Sequence, residues 1–574
     1  MVLTMKLIYK HLLRQLVKDK IFLALLLLLT VLTSFSFFFV MFSIDDNMTA
    51  LNSVNILSEN QLNYRNALTS NTSLARIFFL SLIGLTSLVF VMFFYRFFAA
   101  NKRQIGCIKA LGIRNEKMRL FFSVFTVILS MLGAAAGLIA GNFAADILIN
   151  ANSRTYSVTD LVKGVSPLTL AIGLLFPSVV FCVVSIICFG FVGKKEAGFL
   201  LSGNDMRGHF PVALKIADKI SEIVPHSMRF SLRIALRKPL SVLLLIAAVM
   251  AFNVCVILGQ SLNISSAKVF EQQTDGHNYE YDVRFSEFQT EHIYDNTMTY
   301  ISEPAVISIS GHELERTVTG FYNINELYCL KNKSEDLLTT PKVGKIYINP
   351  ELSEIYGVKI NDMLEVLIGK TRHTFIVEDI AVNSQARSVY INADQLTEIL
   401  GIPIGSYNGA LSSVALSGSM VTSRADRVDK LDRNAVSNRV SAIINQATGV
   451  LVGAVLIFLA LYLNFRGNTR DILILNMIGH RNKYIRRTLI DIYFPVMCAG
   501  FIITVFPSIM LAESIQKSLS ISTDDFMPFG CNFLVIAAAF AAICLIYCGV
   551  TKSFNFGIRR VTAKGEFSDI VYAE

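Results

Sequence analysis

The chain has 574 residues, 53% of them hydrophobic and 17% charged, with a mean hydropathy of +0.52 and a formal net charge of +9. Soluble domains carry about a quarter charged residues, and the apolar residues here come in long blocks rather than alternating with polar ones. Together these exclude a disordered chain, a collagen, a coiled coil and a secreted disulfide scaffold, and predict a polytopic α-helical membrane protein.

A hydrocarbon core takes about 20 apolar residues of helix to cross. Eight segments qualify, at about 21–43, 74–98, 120–149, 168–193, 240–262, 447–465, 488–512 and 532–552. Lys18 and Lys20 precede the first, but its apolar run is too long for a signal peptide and no small-residue cleavage site follows. It reads as an uncleaved anchor. Residues 1–20, 96–119, 194–238, 464–487 and 553–574 hold 5, 7, 9, 6 and 3 Lys or Arg, whereas 44–73, 150–167 and 513–531 hold 1, 2 and 1. The positive excess marks cytoplasmic loops, so both termini are expected in the cytoplasm.

The polar block then falls outside. Its residues 263–440 carry 16 Lys and Arg against 24 Asp and Glu. The basic balance of the whole chain therefore belongs to loops beside the lipid bilayer, and nucleic acid is a poor partner for it. Strand-like content lies at Tyr279–Phe285, Thr317–Tyr322, Lys345–Ile348, Leu364–Leu367 and Thr374–Val377, which predicts a mixed α/β domain. Segments 265–273 and 422–445 read as helices that extend spans five and six into a stalk.

The expected plan is a cytoplasmic amphipathic helix (1–20), four spans (21–193) with a short outside loop (44–73), and a cytoplasmic linker (194–238). Span five (239–262), an extracytoplasmic domain with its stalk (263–446), spans six to eight (447–552) and a cytoplasmic tail (553–574) follow. This plan contains a repeat. The loop RQIGCIKALGIRNEKMR, 103–119, aligns without gaps on RDILILNMIGHRNKYIR, 470–486, at an offset of 367. Arg103 meets Arg470, Ile105 meets Ile472, Gly112 meets Gly479, Arg114-Asn115 meets Arg481-Asn482, and Gly133 meets Gly500. LRQLVK at 13–18 resembles LRIALR at 232–237 more weakly. Two four-helix repeats along one chain imply a pseudo-two-fold axis normal to the membrane.

Within each loop, Ile105, Ile108 and Leu111, or Ile472, Leu475 and Ile478, recur at helical spacing, with basic residues such as Lys109 on the other side. Gly112 and Gly479 then end a short helix, since glycine takes the left-handed C′ position readily. The result is two rigid elbows, a docking surface for a two-fold symmetric cytoplasmic partner. In span three, Gly133, Gly137 and Gly141 form a stripe that permits close helix approach. Asp491 lies one turn from Arg487, and an i,i+4 pair accounts for it more simply than a proton relay.

Catalytic signals are missing. Gly369-Lys370-Thr371 lacks the glycine of a P-loop, since position 364 is Leu, and reads as a hairpin turn. Leu201-Ser202-Gly203 resembles part of an ABC signature, but Asn204 follows where a second glycine belongs. After His312-Glu313 the metalloprotease motif would need a second His where Arg316 stands, and no Cys or His cluster suggests a metal. The expectation is a chain that is not an enzyme, without a nucleotide site, cofactor or metal.

The paired loops, KRQIGCIKALGIRNEKM above all, resemble the segment between the second and third spans of FtsX-like, MacB-type ABC transporter permeases. INPELSEIYGVKINDMLEVLIGKTRHTFIVEDIAV, 348–382, resembles that family's extracytoplasmic motif. The endings GFLLSG, 198–203, and SDIVYAE, 568–574, are weaker likenesses. The duplicated eight-span plan departs from the family's four-span subunit. Relatives of the Gram-positive antimicrobial-peptide-resistance type have one large insertion too, but ten spans.

The resemblance implies a permease in a bacterial plasma membrane, driven by separate cytoplasmic ABC ATPases that bind Mg-ATP, about two per chain. Its outside domain would move through the stalk to export or extract an amphiphile: a peptide, lipid, lipoprotein or antibiotic. The alternative on the same architecture is a transducer that controls a sensor kinase or an envelope enzyme without transport.

Overall fold

The computed structural model describes residues 2–202 and 239–564, apart from 19, 55–57, 157, 159–160, 291–295, 310, 417–419, 468, 490 and 492. The linker segment 203–238, with LRIALR, and the tail 565–574, with SDIVYAE, lie outside the described residues.

Backbone in hydrocarbon must satisfy its own N–H and C=O groups, so long apolar runs are stable there as helices. Eight such helices are present among the described residues, spans one to eight: Lys20–Asn52, Tyr64–Ala100, Asn115–Tyr156, Pro167–Gly193, Ser241–Gln272, Ala442–Leu463, Tyr493–Ser522 and Phe533–Phe554. The chain is a multi-pass helical membrane protein. Side-chain caps set two of the starts. Ser58 and Gln61 form a reciprocal capping box ahead of span two, and the Ser166 hydroxyl accepts from the Thr169 N–H ahead of span four. Among the described residues span seven starts at Tyr493 rather than at 488, and Asp491 ahead of it stands in a turn.

Spans one and three pack along each other, as do spans five and seven; span six also meets span three, and span seven meets span two. Lipid offers no hydrophobic drive for helices to associate, so close packing and ring contacts supply it. Phe90, Phe94 and Phe98 of span two are fully buried, and Phe98 meets Phe122 of span three edge-on at 5.0 Å.

Between spans five and six, the described residues form nine strands in a separate layer: β1 (Tyr281–Gln289), β2 (Thr297–Ile309), β3 (His312–Phe321), β4 (Lys345–Ile348), β5 (Met363–Ile368), β6 (Thr371–Ile380), β7 (Ser388–Asn392), β8 (Tyr407–Ser412) and β9 (Met420–Ser423). Their order is β3-β7-β4-β6-β5-β2-β8-β1-β9. Because β2 also pairs with β3, six strands close on themselves around Ile307, Val318, Ile346, Val366, Phe375 and Val389. Gly369, at φ +60°, makes the β5–β6 turn, so Gly369-Lys370-Thr371 is a hairpin. The helix Arg424–Gly467 runs without a break from this layer through span six, and Pro239–Gln272 carries span five up to it.

Candidate coupling elbows and the domain joint

Asn101 accepts the first backbone bond of a short helix, Lys102–Ala110, which places Ile105 and Ile108 inward, fully and almost fully buried. Its inner face is tight. A Cβ at Gly106 would lie 2.9 Å from Leu200 Cβ, on the helix Ala197–Leu201. Lys109 donates to the Gly193 carbonyl at 2.9 Å and to the Lys195 carbonyl, and the Asn115 amide donates to Gly193 at 2.8 Å. These two residues therefore tie the elbow to the backbone carbonyls where span four ends. Arg103, Leu111 and Arg114 face outward, Leu111 with 72% of its surface exposed.

The helix ends in a Schellman motif: Gly112, at φ +81°, donates to the Lys109 carbonyl at 2.9 Å, and Ile113 donates to Ile108 at 3.4 Å. The second elbow, Thr469–Met477, ends the same way. Gly479, at φ +94°, donates to Asn476 at 3.0 Å, and His480 donates to Leu475 at 3.0 Å. Ile472 is buried, Leu475 is half-buried, and Arg481 is exposed. Met477 and Ile478 stand out at 67% and 68% exposure. Arg470 and Asn482 occupy the matching helical positions, and their side chains lie outside the described ones.

One ion pair differs from expectation. Asp491 pairs with Arg486, Nε to Oδ2 at 3.1 Å, and not with Arg487. The turn ahead of span seven explains this, since the Asp491 N–H bonds back to the Arg486 carbonyl at 3.1 Å and turns the side chain with it. Asp491 is about one-third exposed and stands before Tyr493, where span seven starts.

The glycine stripe of span three faces span one. A Cβ at Gly133 would collide with Thr30, one at Gly137 would lie 2.8 Å from the Phe35 nitrogen, and one at Gly141 would lie 2.9 Å from Phe38 Cβ. At the matching position a Cβ on Gly500 would lie 3.3 Å from Ile246 Cγ1 of span five, a looser approach than in the stripe.

At the other end of the bundle, the sheet layer grips the loop that follows span seven. The Arg316 guanidinium on β3 is fully buried and holds Asp524 with two bonds, at 2.7 and 3.0 Å. It also holds Glu351 at 2.7 Å, whose other oxygen accepts from Asn349 at 3.1 Å. Arg387 Nε donates to the Asp524 carbonyl at 3.0 Å. Burial pushes the Glu351 carboxyl above its ordinary range, with Arg316 pulling the other way. No motif in the sequence marks this joint, because its partners are up to 208 residues apart. Two further contacts tie the stalk to the sheet: Arg427 lies 4.0 Å from the centre of the Tyr279 ring, and Arg424 pairs with Glu280 at 3.3 Å.

No group of three or more His, Cys, Asp or Glu is placed to hold a metal among the described residues. A search of curated proteins finds no match. The model of the FtsX-like permease C-terminal family matches the chain twice, over residues 76–197 and 447–553, and each match contains one elbow. Both regions are thus similar to the FtsX-like permeases, membrane components that generally work with cytoplasmic ABC ATPases, and the two matches support an ABC-permease type of role.

Proposed function

We propose that the chain is the permease of an ABC complex and that one polypeptide supplies both halves. ATP hydrolysed by two partner ATPases moves the sheet domain, outside a bacterial plasma membrane, to export or extract an amphiphile. The observation that carries this is the pair of elbows, 367 residues apart, each closed by a left-handed glycine in the same Schellman motif. A rigid element repeated at a fixed offset suits a two-fold symmetric partner better than two unrelated topology signals would. One contact fits a pseudo-two-fold axis: the Arg96 guanidinium donates to the Leu463 carbonyl at 3.4 Å, and these positions are themselves 367 apart.

On this reading Leu111, Met477 and Ile478 are apolar knobs for a groove on each ATPase, and Arg103, Arg114, Arg470 and Arg481 set the docking charge. Ile105, Ile108, Lys109, Asn115, Ile472, Leu475 and Asn482 hold the elbows in shape, and Gly112 and Gly479 end them. The stalk and the joint at Asp524 carry motion to the sheet domain.

The test is a double variant, Leu111→Asp with Ile478→Asp. Both side chains are exposed, so folding and membrane insertion should survive. Truncating an apolar anchor at an interface weakens binding by about tenfold or more, so co-purification of the ATPase with the variant should fail. Undiminished co-purification with a folded double variant refutes the elbow assignment.

A further inference from the structure

Asn253 of span five is fully buried, and its amide donates to the Thr504 hydroxyl of span seven at 3.3 Å. That hydroxyl is itself committed to the Phe501 carbonyl at 3.3 Å, so it has no hydrogen left for Asn253 Oδ1. Among the described residues, Asn253 Oδ1 and the Ser508 hydroxyl both lack a partner, and Ser508 is fully buried too. Inside the hydrocarbon layer, bulk water does not make good such a loss.

The register sets these groups at one level. Spans five and seven run parallel: a Cβ on Gly500 would lie 3.3 Å from Ile246, and further along Ala512 packs with Leu258. Both contacts share an offset of 254, which sets Asn253 beside Pro507, between Thr504 and Ser508. Pro507 has no N–H, so the Ile503 carbonyl loses its helical partner and the helix bends most easily there. The ring of Pro507 is exposed, away from the seam. Thr504 thus belongs to the inner half of span seven and Ser508 to the outer half, with the pivot between them. The outer half leads to Asp524, which Arg316 of the sheet layer holds.

Two comparisons within the chain isolate the feature. Span four carries the same Phe-Pro-Ser triplet at 176–178, but there Pro177 is buried and the serine is satisfied. The Ser178 hydroxyl lies 3.1 Å from that of Ser130 and donates to the Leu174 carbonyl at 2.9 Å. In span three, the positions that match Thr504, Pro507 and Ser508 hold Gly137, Ala140 and Gly141, and span one closes against the two glycines. The second repeat therefore sets an unpaired donor and an unpaired acceptor beside a proline pivot, where the first repeat has a close-packed seam.

We propose that Asn253 is a two-position latch on span seven. In the position seen here it bonds the inner half through Thr504. When the helix flexes at Pro507, the Ser508 hydroxyl donates to Asn253 Oδ1 and the outer half is held as well. Both positions are sampled in the resting membrane. The inference goes beyond the function proposed above and needs neither an ATPase nor a cargo, so its failure and the failure of that function are separate outcomes.

The test uses the full chain in lipid nanodiscs, with Cys255→Ala so that no native thiol lies beside position 253. Two double variants, Asn253→Cys with Thr504→Cys and Asn253→Cys with Ser508→Cys, are oxidised and mapped by mass spectrometry. Both pairs should form a disulfide. Pro507→Ala restores a backbone bond across the pivot and should lower the 253–508 yield about fivefold, with the 253–504 yield unchanged. Absence of the 253–508 disulfide in a folded variant, or a yield that Pro507→Ala leaves unchanged, overturns the latch.

If the cysteine pairs do not fold, amide exchange of Ser508→Ala decides. Ser508 makes no bond in the arrangement seen here, so a fixed seam predicts no change. The latch predicts exchange about threefold faster over 509–522, and none of that change over 494–503. Equal exchange in both segments, with and without the substitution, overturns it.

Discussion

Arg316 shows how a buried charge can serve as a fastening. Desolvation of a guanidinium costs several kcal/mol, and Arg316 offsets it with two carboxylates and the rigid fork of its N–H groups. The two acids are not equivalent. Asp524 is about one-third exposed and joins two parts of the molecule, whereas Glu351 is nearly buried beside Arg316 within the sheet layer. Asp524→Asn should destabilise the joint by about 2 kcal/mol, less than a fully buried pair because solvent already reaches Asp524. Glu351 carries a pH signature. Its folded pKa is raised by burial, so its stabilising contribution is complete below the unfolded carboxylate pKa and is lost as pH rises through the folded value. Stability should therefore rise as pH falls from neutral toward the ordinary carboxylate range, and Glu351→Gln should remove that component while keeping a bond to Arg316. Thermal melts of both variants across that range check this; an unchanged pH slope in Glu351→Gln means that another group titrates.

At the scale of elements, glycines in the same membrane bundle divide sharply by what surrounds them. A methyl group on Gly137 in span three would meet the backbone of span one, with Val31 O at 2.7 Å and Phe35 N at 2.8 Å, whereas one on Gly84 in span two would meet nothing within 4 Å. Gly137→Ala should open the seam and lower the melting temperature. Gly84→Ala should leave it unchanged or raise it, since alanine is favoured over glycine in a helix by about 0.5–1 kcal/mol. Equal effects in a melting assay would mean that the seam does not hold spans one and three together. The stripe was legible because spacing in a helix fixes which residues share a face. The strands were less so. β2 contains Pro304, a residue that argues against a central strand. The structure tolerates it because Pro304 falls between the stretch of β2 that pairs with β8 and the stretch that pairs with β5, so the missing N–H has no ladder partner to lose. Ser302, on the same side, sends its N–H to the Asn408 side chain instead. The turn at Asp491 was also hidden, because the matching segment of span three runs through without interruption.

For the whole molecule, hydropathy was enough to find eight spans, since a bilayer imposes length and polarity on each segment locally. The joint was not legible, because it depends on which loop of the bundle the sheet layer reaches, a property of the three-dimensional arrangement. Among the described residues, that arrangement gives the sheet layer three attachments: the helix from span five, the stalk into span six, and Asp524 after span seven. Tyr279 links two of them, because it packs under Arg427 of the stalk and its hydroxyl accepts from Gln385, two residues before Arg387. A layer held at three points cannot follow one span without loading the others. Amide hydrogen exchange of the assembled complex, with and without a trapped ATP analogue, should therefore show 384–387 and 524–526 changing protection together, alongside the elbows. If the elbows respond while these two segments do not, motion stops within the bundle and the joint is an anchor. If 384–387 responds without 524–526, the stalk alone moves the domain.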